Sequence, residues 1–428
     1  MKKGFSKSVS IATITALSMG VFGCSAGNVF NAINPMFTAN TFNSYDTKTI
    51  NKVHVKASQF ERFGYVPDEI IVKYRNNMKT FNTATVLQQF NLQAVKNINS
   101  LNVQVVKTNA GSINIMSVIN KLKQSPDVLY AEPNYIATAY FTPNDPKFKD
   151  QYAPQIVKAP EGWEISTGDK NVIVSIVDTG VDMKHPDLAA KIVQGYDMVD
   201  KDDDPMDGQG HGTHCAGIAA AITDNAEGVA GIAPKCSIMP VRVLDDNGSG
   251  TYDDVAEGIV WAAEHGANVI SMSLGGRSSS KVVEDAVNLA LKKDVAVIAA
   301  MGNDGKNVKC YPAAIPGVIA VGSTDKNDKR SSFSNYGEWI SVSAPGSSVL
   351  STLPTYENGI GQKNYGSLSG TSMATPATSG LAGLIRSKFP KYDIKQVRAA
   401  LEKGDDLGKP GFDNEFGNGR INVYNSLK

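Results

Sequence analysis

Beyond its N-terminal region the chain carries no long hydrophobic run. No later segment approaches the ~20 consecutive apolar residues that a membrane-spanning helix needs, so the remainder is expected to stay out of the bilayer. A net charge is missing too. Lys and Arg number 42 and Asp and Glu 42, so charge makes no case for a nucleic-acid partner, and none is expected. Disorder and fibrous repeats are excluded by the composition: with 42% hydrophobic and 20% charged residues, it is that of packed globular domains. Cysteine is scarce, with Cys24, Cys215, Cys236 and Cys310 only. The balanced charge hides a split. Residues 1–140 hold 14 basic and 6 acidic side chains, and residues 141–428 hold 28 and 36. Opposite charge on two parts of one chain suggests segments that face each other.

Lys2 and Lys3 precede an apolar stretch from about Val9 to Phe22, then Gly23 and Cys24. A positive start, a short apolar stretch and small residues after it predict an export signal over 1–23. Val21-Phe22-Gly23-Cys24 resembles the lipobox of bacterial lipoproteins, with Phe22 where a small residue is usual. That resemblance implies acylation of Cys24 and a lipid-anchored envelope protein, the only membrane association expected. Cleavage near Ala26 would instead give a freely secreted one. Residues 24–60, rich in Asn, Thr and Ser, read as a flexible tether.

From Asp68 the pattern changes. Alternation at Ile70, Val72 and Tyr74 predicts a strand, followed by a helix over 85–90 and a strand over 102–107. Ile113, Met116, Ile119 and Leu122 predict a second helix, and 128–130 a return to strand. This order predicts a small α+β, ferredoxin-like unit over 61–140. Beyond it, apolar runs at 172–177, 238–244, 269–273, 295–300 and 318–321 alternate with helical patterns at 253–265 and 282–293. Continuous β-branched runs mean strands buried on both faces, and the alternation means a mainly parallel sheet. Residues 141–428 are thus expected to form a doubly wound α/β domain.

In such a sheet, chemistry collects outside the C-terminal ends of the strands. Asp178 follows the 172–177 run there. His211 opens a small-residue helix in Gly210-His211-Gly212-Thr213-His214-Cys215, and Ser372 opens another in Gly370-Thr371-Ser372-Met373-Ala374-Thr375-Pro376. Ser is too weak an acid to attack unaided, so a His must take its proton. A carboxylate holds the imidazole and stabilises its protonated form. Asn303, after the 295–300 run, can offer an amide N–H to an oxyanion beside the Ser372 backbone N–H.

The stretches Asp178-Thr179-Gly180-Val181-Asp182, His211–Gly217 and Gly370–Pro376, in that order, resemble the three signatures of the subtilase family of serine proteases. Phe141-Thr142-Pro143-Asn144-Asp145-Pro146 and the Cys after His214 resemble its thermitase-like branch. The resemblance implies a subtilisin-like fold. It makes Ser372 the nucleophile, His211 the general base, Asp178 its orienter and Asn303 the oxyanion donor. Ser273-Leu274-Gly275-Gly276 resembles the segment on which the family pairs a substrate peptide. Met301, where the family has a small residue before Gly302-Asn303, is expected to reshape the pocket wall, with Gly302 part of the substrate site. Ala377 stands where the family normally has His. The 61–140 unit resembles a subtilase propeptide. That implies an intramolecular inhibitor whose tail, around 135–140, occupies the groove and is cut near Tyr140–Phe141.

Asp197, Asp200, Asp202, Asp203, Asp204 and Asp207 crowd the approach to His211. Such a run is usually a solvated loop, and charges this dense repel unless a cation intervenes. The resemblance implies a weaker calcium site at Asp197, Asp202 and Asp204. It implies a stronger one at Asp145, Asp187 and Asn225 with carbonyls of Ile222, Glu227 and Val229. Oxygen ligands in this number suit Ca2+. With Cys24 acylated, three thiols remain. Cys215 is expected to be a free buried thiol beside His211, and Cys236 and Cys310 are either small buried hydrophobes or a bridge.

The expected protein is an exported, calcium-stabilised, monomeric serine endopeptidase made as a self-processing zymogen and acting on protein or peptide substrates. The alternatives are a maturation protease for one exported precursor and an inactive surface-binding scaffold. The scaffold would be expected to have lost Ser372, His211 or Asp178, and all three are present.

Overall fold

The computed structural model describes residues 64–75, 83–108, 115–136 and 141–428. The expected export signal, tether, Cys24 and most of the tail at 135–140 lie outside the described residues. Two compact units divide the chain, one through Tyr135 and one from Ile136, slightly ahead of the boundary expected at 140/141.

The first unit runs β1 (Tyr65–Tyr74), α1 (Thr83–Gln89), β2 (Leu92–Ile98), β3 (Val103–Thr108), α2 (Ile115–Leu122) and β4 (Val128–Tyr135). Its antiparallel sheet has the order β2-β3-β1-β4, the split-βαβ arrangement of ferredoxin-like units. Ile70, Val72 and Tyr74 alternate into a core with Ile115, Ile119 and Leu122 from α2. The sequence pattern missed β2. Only Leu92 of that edge strand is buried, so no apolar alternation marks it.

The second unit begins with two short helices, α3 (Tyr152–Ile156) and α4 (Ala159–Trp163). It continues β5 (Ile173–Asp178), β6 (Tyr196–Asp197), α5 (His211–Ala220), β7 (Ser237–Arg242), α6 (Tyr252–Glu264), β8 (Val269–Met272), α7 (Lys281–Lys292), β9 (Ala296–Ala300), β10 (Ile319–Thr324) and β11 (Val342–Pro345). A hairpin of β12 (Val349–Leu353) and β13 (Asn364–Leu368) precedes α8 (Thr371–Lys388), α9 (Ile394–Leu401) and α10 (Val423–Ser426). Seven strands pair in the order β11-β10-β9-β8-β5-β7-β6, all parallel. Strand alternation feeds two cores. Val174, Ile176, Val269 and Ile298 point to the face carrying α5 and α8, whereas Val177, Ile270, Val297 and Ala299 point to the face carrying α6 and α7. The apolar runs are continuous because both faces are covered. The order reverses at β5, which lies between β8 and β7, so Asp178 ends a strand at the switch point where open α/β sheets bind ligands.

Candidate active site

Asp178 is fully buried at the end of β5. Its Oδ1 accepts the Thr179 backbone N–H at 2.8 Å and lies 2.7 Å from His211 Nδ1. His211 is the first residue of α5 and reaches the strand end because its neighbour is glycine. A Cβ on Gly212 would stand 2.1 Å from the Gly180 carbonyl oxygen and 3.2 Å from the Asp178 Cβ. Burial by itself depresses the His211 imidazole, but the charge and hydrogen bond of Asp178 outweigh it, and the group ends well above its ordinary value. The Cys215 thiol, 4.0 Å from Nδ1, is pushed up by burial and therefore stays neutral. Its Sγ contacts the Ser372 carbonyl at 3.5 Å.

Ser372 is the second residue of α8, where backbone N–H groups lack helical partners and favour negative charge. Its hydroxyl donates to the Ser273 carbonyl at 3.1 Å rather than to the imidazole, and the Ser273 hydroxyl donates back to the Ser372 carbonyl at 2.7 Å. Asn303 Oδ1 accepts both the Thr371 N–H and the Thr371 hydroxyl at 2.9 Å. Because a backbone N–H can only donate, these contacts assign the amide orientation and leave Nδ2 as a donor without a hydrogen-bond partner among the described residues. Nδ2 would lie 3.5 Å from a Cβ built on Gly370, two residues before Ser372.

A cavity of about 510 Å3 adjoins this group, lined among others by His211, Leu244, Tyr252, Ser273, Leu274 and Gly275. Leu244 and Tyr252 escaped the sequence reading, because an apolar residue after a strand and a Tyr opening a helix carry no signature. Met301 is fully buried in the core on the α6–α7 face, so its side chain does not line the cleft as expected. The residue beside the glycines is Cys310. Its Sγ would lie 2.5 Å from a Cβ on Gly275, and its Cβ 3.1 Å from one on Gly302. An ion pair from Arg277 to Asp304 joins the Ser273–Gly276 segment to the residue after Asn303. It holds the Asp304 carboxyl below its ordinary value.

No Cys236–Cys310 bridge forms, and Cys215, Cys236 and Cys310 are free thiols. Cys236 is buried beside Ser387 and Gly383, whereas Cys310 stands by Gly275. The two occupy different neighbourhoods. Ala377 is buried in the core against the sheet. His214 is fully buried at 3.1 Å from the Gly366 carbonyl and is depressed to about 3 by burial, so it stays neutral.

The two carboxylate groups expected to bind calcium differ in fit. Asp145 and Asp187 are both buried. Asp145 Oδ2 accepts the Asp224 N–H at 2.7 Å, while Oδ1 has no partner among the described residues. Asp187 accepts Asn225 Nδ2 and the Val229 N–H, each at 2.8 Å. Burial pushes both carboxyls up, and Asp187 adds repulsion at Asp145. A buried acid pair with an orphaned oxygen fits a hard cation. In the Asp197 loop, Arg242 already supplies the positive charge, at 2.5 Å from Asp197 Oδ2 and 2.6 Å from Asp200 Oδ2. Asp197 Oδ1 accepts the Val199 and Asp200 N–H groups. Both Asp197 oxygens are thus committed, and an ion there must compete with the guanidinium.

Comparisons with known proteins bear on this geometry. Residues 169–419 match the model of the subtilase family, and residues 51–134 match that of the fervidolysin N-terminal prodomain. The chain is 41% identical over 381 residues to the thermophilic serine proteinase of Bacillus sp. (strain AK1), spanning 89% of this chain and 91% of that one. It is 50% identical over 289 residues to thermitase of Thermoactinomyces vulgaris, spanning 67% of this chain and 100% of thermitase. A solved protease structure from Pseudoalteromonas arctica PAMC 21717 matches with a TM-score of 0.62 at 34% identity, covering 67% of this chain and 99% of the other.

Proposed function

The chain belongs to the subtilase family as a subtilisin-like serine protease with a prodomain, and from that premise we propose that it is an exported endopeptidase that matures itself and cuts proteins through an acyl-enzyme on Ser372. The observation that carries the site assignment is the 2.7 Å contact between His211 Nδ1 and Asp178 Oδ1. With Nδ1–H held by the carboxylate, Nε2 is the basic nitrogen. Rotation of the Ser372 side chain away from the Ser273 carbonyl brings its proton to that nitrogen, and the hydroxyl oxygen attacks the scissile carbonyl. The carbonyl oxygen gains negative charge between Asn303 Nδ2 and the Ser372 N–H, both fixed before reaction begins. His211 then passes its proton to the leaving amine, and a water repeats the sequence to release the acyl group.

The Ser273–Gly276 segment pairs with the substrate backbone, and the adjoining cavity receives side chains on the acyl side. Residues 61–140 serve as the intramolecular inhibitor, removed by the enzyme's own cut near Tyr140. Asp145, Asp187 and Asn225, with carbonyls of Ile222, Glu227 and Val229, hold a structural Ca2+ that neutralises the buried acids. Export leaves the protein either acylated at Cys24 or free. The test is labelling by a serine-directed fluorophosphonate, with intact mass of the exported wild type beside Ser372→Ala. Labelling at Ser372 and loss of the N-terminal region in wild type alone are expected. An unlabelled wild type of full length would overturn the reading.

A further inference from the structure

The acidic run before His211 ends in a residue that behaves unlike a solvated loop carboxylate. Asp207 is fully buried, and among the described residues no Lys or Arg forms an ion pair with it. Five donors converge on it instead. Oδ1 accepts the Thr179 hydroxyl at 2.8 Å, the Gln209 N–H at 3.1 Å and the Gly210 N–H at 2.7 Å. Oδ2 accepts the Thr213 N–H at 2.8 Å and the Thr213 hydroxyl at 2.6 Å. Burying a charge without a counter-ion is costly; these donors fill its lone pairs and offset part of that cost, although burial still pushes the Asp207 carboxyl up.

The donors come from two separated stretches. Gln209, Gly210 and Thr213 bracket His211, while Thr179 directly follows Asp178. Thr179 is also tied to the first turn of α5, because its Oγ1 accepts the Gly212 N–H at 2.9 Å. The Thr213 hydroxyl in turn accepts the Asp182 N–H at 2.9 Å. An ordinary helix cap would fill only the free N–H groups of its own helix, whereas this carboxylate grips the end of β5 as well. The segment between β12 and β13 covers the turn from outside. The Tyr356 hydroxyl donates to the Asp207 carbonyl at 3.0 Å, and the Gly359 and Ile360 N–H groups donate to the Gly208 and Gln209 carbonyls at 3.0 and 3.1 Å.

We propose that Asp207 is a positioning residue: through Thr179 on one side and the Gly210–Thr213 turn on the other, it sets the register in which Asp178 meets His211. This rests on the reading of Asp178 and His211 given above. Asp207 touches neither substrate nor reacting atoms, so its loss acts through the geometry of that pair.

The test compares mature wild type with Asp207→Asn, Thr179→Val and Thr179→Ser. Three quantities are read: kcat and KM on a peptide anilide, the thermal midpoint, and the low-field proton NMR resonance of His211 Nδ1–H. Asp207→Asn and Thr179→Val are expected to lower kcat about 10- to 100-fold, the scale of small misplacements at a reacting centre. KM should stay nearly constant, and the Nδ1–H resonance should move or broaden. Thr179→Ser, which keeps the hydroxyl, restores most of the rate and the resonance. A lowered thermal midpoint with kcat and resonance unchanged would make Asp207 merely structural and overturn the proposal. If Asp207→Asn fails to fold, Thr179→Val carries the test alone. Should wild type fail to label at Ser372, the protease reading falls separately, and the resonance still reports whether Thr179 and Asp207 set the Asp178–His211 contact.

Discussion

The amide oxygen of Asn303 lies 2.9 Å from both the backbone nitrogen and the hydroxyl of Thr371, which leaves the amide nitrogen as the donor that the proposed mechanism assigns to the oxyanion. Asn303→Leu keeps the approximate volume and removes the donor. The expected loss is about 10²- to 10³-fold in kcat with little change in KM, because the bond matters only once charge develops. Thr371→Val removes one of the two contacts fixing the amide and is expected to cost less. Steady-state kinetics of both variants on one peptide substrate check the pair, and a loss confined to KM would contradict the assignment.

In the proposed mechanism, Asp178 sets the pH range of activity. Its charge raises the His211 imidazole above the ordinary value, so the base is protonated, and activity lost, as pH falls through that raised value. The acid limb of kcat/KM should therefore lie above the ~6.5 of an unperturbed histidine. In Asp178→Asn the raising charge is gone while burial remains. Residual activity, lowered on the order of 10⁴-fold, should then show its acid limb displaced downward. A pH–rate profile with the same limb in both proteins would disconnect Asp178 from the base.

Removal of calcium should lower the thermal midpoint. An ion bound only by the folded chain stabilises it by about 2.7 kcal/mol at a concentration 100-fold above its Kd. Calorimetry with and without a chelator reads this directly. Asp187→Ala, which removes a buried acid from the group, is expected to abolish the chelator's effect, whereas Asp202→Ala in the Arg242 loop should leave it nearly intact. Equal melting of chelated and calcium-loaded wild type would dismiss the ion.

The Arg277–Asp304 ion pair neutralises the carboxylate that follows Asn303. Arg277→Gln leaves that charge without its ion-pair partner, with Asn335 still donating to it, near Cys310. Peptides with Lys at the scissile position should gain in kcat/KM relative to those with Leu, and the gain should shrink as salt is added. A substrate series differing only at that residue measures it. An unchanged Lys-to-Leu ratio would place the pair outside the reach of the substrate side chain.

Most of the architecture was legible in the chain because its signals are local. Buried parallel strands read as continuous β-branched runs, and all five expected strand regions of the large unit are strands, shifted by a few residues at their ends. Elements without an apolar pattern went unseen, among them β2, with Leu92 alone buried, and the two-residue β6. The candidate residues Asp178, His211, Ser372 and Asn303 stood out for another reason. Each sits at a strand or helix end among small residues, since close approach at the site demands glycine, as at Gly212.

What the sequence by itself determined was which residue types stand at which element ends, and with them the chemistry on offer. Only the tertiary structure decided where each side chain goes when several fates are open to it. The same acidic run holds Asp207, buried under five donors, and Asp197, paired with Arg242. Met301 turns into the core while Cys310, expected as a small buried hydrophobe or half of a bridge, stands against Gly275. Those fates depend on partners far away in the chain, such as Thr179 for Asp207 and Gly275 for Cys310. The free energy of a buried charge or thiol is set by the groups that fold around it.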